Sequence, residues 1–211
     1  MEKRITLALL ITILITWDIF AFDISAGFGG NFAVNFDSYK YDGENIASQR
    51  TIGGGLFALF DITYAEVNVG ILFGSLKQEY AGVWDDYSIN NFNLTFSIYG
   101  KYPIRLGSFS IFPMLGVQYD LCLSAKDEGE IIFDNPLIRM DHMNRFWIKF
   151  GVGADFNLTE KLYFRPSFLY GINFGTRNDR DVKKYNSKES IFHHGLDIRI
   201  AIGWRFWSLQ R

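Results

Sequence analysis

The sequence predicts an all-β chain, an eight-stranded antiparallel up-and-down transmembrane β-barrel. Three observations predict it. Apolar and polar residues alternate with period two in eight segments, short and long connections alternate along the chain, and the segments run to roughly 11–15 residues, well beyond the usual strand of about 5–6. Composition agrees. Of 211 residues 18% are aromatic, with 21 Phe and 11 Tyr, and 20 Gly stand against 4 Pro, a mixture that favours strands. Mean hydropathy is only +0.03, too low for a bundle of membrane helices.

The first segment reads as an address. Lys3 and Arg4 precede an apolar run, Ile5 to Trp17, interrupted only by Thr6, Thr12 and Thr16, and small Ala21 follows. Such a run spans roughly 20 Å as a helix, short of the ~30 Å hydrocarbon core. Residues 1–21 are expected to be a secretory signal peptide cleaved after Ala21, and residues 22–211 the barrel. An uncleaved anchor helix is the competing reading.

Four strands are clear. Ile24, Ala26, Phe28, Phe32, Val34 and Phe36 alternate with Ser25, Asn31 and Asn35. Phe92, Leu94, Phe96 and Ile98 alternate with Asn93, Thr95, Ser97 and Lys101; Phe146, Ile148, Phe150, Val152 and Phe156 with Arg145, Trp147, Lys149 and Asp155; Leu196, Ile198, Ile200, Ile202 and Trp204 with Asp197, Arg199 and Arg205. Four further segments (51–60, 64–74, 109–123 and 162–174) fit more loosely, because Phe57, Leu59, Phe112, Met114 and Leu169 fall on the polar side. The connections at 61–63, 104–108 and 158–161 are short; those at 37–49, 77–87, 124–144 and 175–190 are long and polar. In an up-and-down barrel all short turns gather at one end, here the periplasmic one, and all long loops at the extracellular end.

Orientation follows from volume. Eight strands enclose a lumen just wide enough for side chains to fill. Phe and Ile from every strand would overfill it, whereas Gly, Ser, Asn and paired charges fit. The bulky face must then point outward, where a continuous apolar band needs lipid. Closure satisfies every backbone N–H and C=O inside the hydrocarbon. Rings near both strand ends (Tyr102, Phe109, Phe156, Tyr163, Phe164, Trp204 and Phe206 at one; Phe36, Phe73, Phe92, Phe146, Phe174 and Phe192 at the other) suit headgroup belts. A secreted soluble barrel, with the faces reversed, is the competing reading.

The inward charges are expected to pair, since an isolated buried charge costs several kcal/mol. Glu66, Lys101, Asp155, Arg165, Asp197 and Arg199 form one expected interior ion-pair cluster, with Asp120, Arg145, Lys149 and His193 as a second layer nearer the outside. Two readings of that cluster are open: a plug that fills the tube, or a gate in a narrow channel. No catalytic, metal or cofactor site is expected. Ser190, His193, His194 and Asp197 lie near the rim, but adjacent His side chains in a strand face opposite ways and no nucleophile–base–orienter set is complete. One Cys and three His supply no zinc set, and Gly27–Gly30 and Gly53–Gly55 lack the following helix of a phosphate loop. A net charge of −2 offers no field for nucleic acid.

With these features the chain resembles the small outer-membrane barrels of diderm bacteria: the OmpA transmembrane domain, OmpX and the OmpW-type proteins. The most specific match is His193-His194-Gly195-Leu196-Asp197-Ile198-Arg199-Ile200, which fits the polar-x-Gly-x-x-apolar-x-apolar pattern read by the barrel assembly machinery. The chain departs from the family's usual aromatic ending by running on to Ser208-Leu209-Gln210-Arg211. The resemblance implies outer-membrane location, with lipid and the assembly machinery as partners. The expected role is structural or surface-contact, through loops 77–87, 124–144 and 175–190. The alternative is an OmpW-like narrow, porin-like conduit for small molecules, apolar ones included.

Overall fold

The computed structural model describes residues 23–41, 44–80, 83–127, 130–131, 143–173 and 189–208. Residues 1–21, expected to be a signal peptide, lie outside them, as do Phe174 and much of loops 124–144 and 175–190. The elements are β1 (Asp23–Tyr41), β2 (Glu44–Ile62), β3 (Ala65–Tyr80), β4 (Val83–Lys101), β5 (Ile104–Leu106), β6 (Phe109–Asp127), β7 (Glu130–Ile131), β8 (Arg145–Asn157), β9 (Leu162–Asn173) and β10 (Glu189–Ser208). Each long strand pairs antiparallel with its neighbours in sequence, β1 pairs with β10, and the short β5 and β7 extend hairpins on β6. The eight long strands thus close a ring, in which β4 pairs with β6.

Register fixes the cylinder's shape. Starting at Phe36, paired residues run through His194, Ile172, Ile148, Val117, Ile98, Val67 and Phe60, and return to β1 at Ala26, ten residues from the start. A ten-residue stagger over eight strands corresponds to a tilt of about 40°. Ile24 and Phe36, twelve residues apart on the outward face of β1, are then separated by about 30 Å along the axis, the thickness of a hydrocarbon core.

The faces are as the alternation requires. Phe96, Phe150 and Ile200 are 41%, 47% and 52% exposed, while Lys149 and Arg199 are each 5% exposed. Polarity is therefore inverted relative to a soluble barrel.

Three details differ from the sequence reading. First, strands extend beyond the expected boundaries at the long-loop end. β1 and β2 are separated only by residues 42–43, and β3 and β4 only by 81–82. Once a hairpin leaves lipid both of its faces meet water, so the apolar half of the alternation disappears while the hydrogen-bonded ladder continues. Second, Leu59, Phe112, Met114 and Leu169 do not mark slips in register; they point inward and are buried. Phe57 also faces in, beneath the Arg199 guanidinium at 5.6 Å. Third, Tyr163 is not part of the lower outward belt but is fully buried inside.

Inward glycines make room for these rings. A Cβ on Gly153 would lie 2.3 Å from the Phe112 ring, and one on Gly203 would strike the Tyr163 ring. At the β2–β3 turn Thr63 adopts φ 25° and is tied to the start of β1 by Asp23 N donating to Thr63 Oγ1 at 2.7 Å.

Gly153→Leu should lower stability by about 3 kcal/mol or prevent closure, read as loss of the folded band on an unheated gel and a reduced urea midpoint. Phe150→Arg, on the lipid face in the middle of β8, should cost about 2–4 kcal/mol in liposomes.

Candidate functional site: the charged interior

Alternation places one inward residue in every two on each strand, so the lumen is a stack of side chains contributed from all sides. They form three tiers. The lowest lies near the short turns and centres on Arg165 of β9. Its Nε and Nη2 donate to the two oxygens of Asp155 on β8 at 2.6 and 2.8 Å. Nη1 donates to Glu66 on β3 at 2.5 Å and Nη2 to Asp61 on β2 at 2.5 Å. β3 stands four strands from β9 in the eight-membered ring, so this one guanidinium bridges the full diameter. Lys101 of β4 also donates to Asp61, at 2.7 Å. Arg205 of β10 approaches Asp155 at 4.0 Å. Three carboxylates therefore meet three cations.

The middle tier is built on Asp197 of β10, which accepts from Arg199 Nε at 2.8 Å and from Lys149 Nζ at 2.9 Å. Arg199 reaches across the lumen: Nη2 donates to Tyr99 Oη on β4 at 2.8 Å and to Gln118 Oε1 on β6 at 2.7 Å. Gln118 Nε2 passes the chain on to Asp120 at 2.7 Å, and Trp147 Nε1 donates to the same carboxylate at 2.7 Å. The outer tier is Asp37 of β1, bonded by both terminal nitrogens of Arg145 at 3.4 and 2.9 Å, with His193 Nδ1 at 2.8 Å.

The inward rings lie against these cations. Phe112 faces Lys101 at 4.6 Å and Arg165 at 5.1 Å. Tyr163 lies 4.8 Å from both Arg165 and Arg205. Tyr99 lies 4.9 Å from Arg199, and Trp147 lies 5.6 Å from Lys149. An aromatic face fills volume and still favours a cation by its quadrupole, which an aliphatic side chain cannot do. That is why bulky residues occupy a face otherwise reserved for small and polar ones.

The expected residues are all interior, but they are partitioned differently. Glu66, Lys101, Asp155 and Arg165 meet as one group. Asp197 and Arg199 belong with Lys149 in the middle tier, where Asp120 joins them through Gln118. Arg145 and His193 meet at Asp37. Sequence reading missed Asp61 and Asp37, assigning them to a turn and a loop. Both continue the inward phase of their strands, Asp61 after Leu59 and Asp37 after Asn35, and that parity was the available signal. His193 points inward to Asp37, while His194 points outward among Phe36, Tyr170 and Phe192, so the two share no site. The Asp197 carboxylate is already engaged by two cations.

A cavity of about 110 Å³ opens at the short-turn end, lined by Asp61, Lys101, Asp155, Tyr163, Arg165 and Arg205 among others. The Arg165 tier therefore lines its inner reach.

A closed antiparallel ring with lipid-type side chains outside and ion pairs inside is a transmembrane β-barrel. The chain belongs to the outer membrane protein beta-barrel domain family, whose model matches residues 7–206. It is a protein of the bacterial outer membrane. No curated protein matches it. Among solved structures, the chain is similar to the outer membrane protease OmpT from Escherichia coli, with 8% identity, 87% of this chain and 97% of that one covered, and a TM-score of 0.43. It is also similar to Neisserial surface protein A, at 11% identity, 86% and 99% coverage and TM-score 0.42. A third is Ail of Yersinia pestis in complex with a heparin analogue, at 16% identity, 88% and 98% coverage and TM-score 0.34.

Arg165→Ala should destabilise the barrel by about 3–5 kcal/mol, because it leaves the buried carboxylates of Asp155, Glu66 and Asp61 without the guanidinium they share. Urea unfolding in lipid measures it; an unchanged midpoint would show that the tier is not a structural element.

Proposed function

We propose that this chain is a structural and surface-contact barrel with a plugged lumen, non-enzymatic, exported by residues 1–21 and displaying its long-loop end to the environment. The observation that carries this reading is the pair of cross-lumen bridges, Arg165 to Glu66 and Arg199 to Tyr99, each joining strands on opposite sides of the ring. A solute crossing the barrel would have to displace a guanidinium bonded to three carboxylates and stacked on two rings. Desolvated, multiply bonded charges of this kind are costly to separate, which opposes the porin-like conduit. Loops 77–87, 124–144 and 175–190 remain the proposed contact elements. β10, which closes the ring on β1, is the proposed signal for the barrel assembly machinery.

Purified protein in planar bilayers should give no current steps, and liposomes carrying it should not swell in small sugars or in small apolar solutes dispersed as micelles. Steady unitary conductance in the wild type, abolished by residues that tighten the Arg165 tier, would establish the conduit instead. The substitution Arg199→Ala should leave the wild-type silence unbroken at low voltage but admit flicker at high voltage, since one of two bridges is gone.

A further inference from the structure

The cavity at the short-turn end is a vestibule whose inner wall is the Arg165 tier. Its volume of about 110 Å³ is several times what a single water requires, room for a small ion with part of its hydration. Neighbouring strands supply one side of it. Arg205 of β10 lies over the Tyr163 ring of β9 at 4.8 Å, Tyr163 pairs in register with Asn157 of β8, and Ser110 of β6 pairs with Asp155 of β8. Arg205, Asn157 and Ser110 all line the cavity.

Acceptors and donors in this lining are unequally engaged. Both oxygens of Asp155 are taken by Arg165. One oxygen of Asp61 accepts from Lys101 and Arg165, while the other makes no hydrogen bond and is sealed from solvent. Asp23 is similar, with one oxygen on Arg105 and the other sealed. The donors are in the opposite condition. The Arg205 guanidinium stands 4.0 Å from Asp155, beyond hydrogen-bond range, and its side chain keeps 15% exposure. Among the described residues, the side chains of Arg205, Ser110 and Asn157 make no hydrogen bond.

We propose that this vestibule binds a small oxyanion, a carboxylate or phosphate group, with Arg205 as its anchor and Ser110 and Asn157 completing the donor set. Tyr163 holds the guanidinium by its face and leaves the N–H edge for a ligand. That edge is a planar fork, which matches two oxygens of a carboxylate or phosphate. A cation would find the carboxylate oxygens already bonded or sealed. Asp61, Glu66 and Asp155 are balanced by Lys101, Arg165 and Arg205, so selectivity comes from the fork and not from a net field. Chloride, a single centre, cannot use it. The site is independent of whatever the long loops contact at the other end.

The test uses the full barrel in uncharged detergent micelles, with inorganic phosphate and acetate as probes at an ionic strength held constant with sodium chloride. In arginine-labelled protein the Arg205 Nε–H resonance, assigned by its loss in Arg205→Gln, should shift saturably with either probe while that of Arg199 stays fixed. The phosphorus line of phosphate, or the methyl relaxation of acetate, should show binding weakened tenfold or more by Arg205→Gln and about threefold by Ser110→Ala, both variants keeping the unheated mobility of a folded barrel. Arg205→Lys, which keeps the charge but not the fork, should also weaken it. If Arg205→Gln does not fold, Ser110→Ala and Asn157→Ala carry the same expectation of weakened binding. A response to chloride equal to that of the probes, a shift that does not saturate, or affinity unchanged in these variants would overturn the proposal.

Discussion

A cylinder of eight strands in hydrocarbon has one place to put a charge, its own lumen, and that lumen is too narrow to hold water in quantity. Every inward ionised group must therefore find its counter-charge among the other inward side chains. In this barrel the demand is met chiefly by Arg165, whose planar fork bonds Asp155 bidentately and still reaches Glu66 and Asp61. Lysine has the charge but not the geometry for that arrangement, because only a guanidinium presents several donors in fixed directions. The rest of the interior is arranged around the consequence: three carboxylates held near one end need Lys101 and Arg205 close by, and both lie in the same tier.

The rings complete the solution. A plug made of salt bridges alone would leave gaps around flat guanidinium faces, and a gap too small for water forfeits contact on one side. Phe112, Tyr163, Tyr99 and Trp147 cover those faces, and glycines on neighbouring strands allow the rings to lie flat; Gly153 beneath Phe112 and Gly203 beneath Tyr163 are two such pairs. Aromatic and glycine content, which in the composition speak only for strands, thus have a particular use inside. The largest side chains take the inward positions where a neighbouring strand has none.

Outside, the same strands face a layered solvent. Apolar residues fill the hydrocarbon zone, and stacked rings such as Phe73–Phe92 and Phe109–Phe156 mark its two edges. Closure and this layering agree with the family to which the chain belongs and with the membrane it occupies. A lumen crossed by bonded guanidinium groups supports the proposal that the hairpins, rather than the lumen, carry the activity.

Period-two alternation let the sequence by itself determine the faces: it assigned Phe96 and Ile200 to lipid and Lys149 and Arg199 to the interior, and with the spacing of turns it determined strand number, order and closure. It also supplied most of the interior charges. Partnership was another matter. Whether Arg199 meets Glu66 or Tyr99, and whether Lys149 joins Asp197 or Asp120, depends on the ten-residue stagger and on which strands stand opposite across the ring, and neither is encoded in any local segment. Asp61 and Asp37 were hidden for a related reason: alternation fades where strands leave the lipid, although the ladder, held by backbone hydrogen bonds that need no particular side chain, carries on. Local pattern decides which way a side chain points; only the closed tertiary structure decides what it finds there.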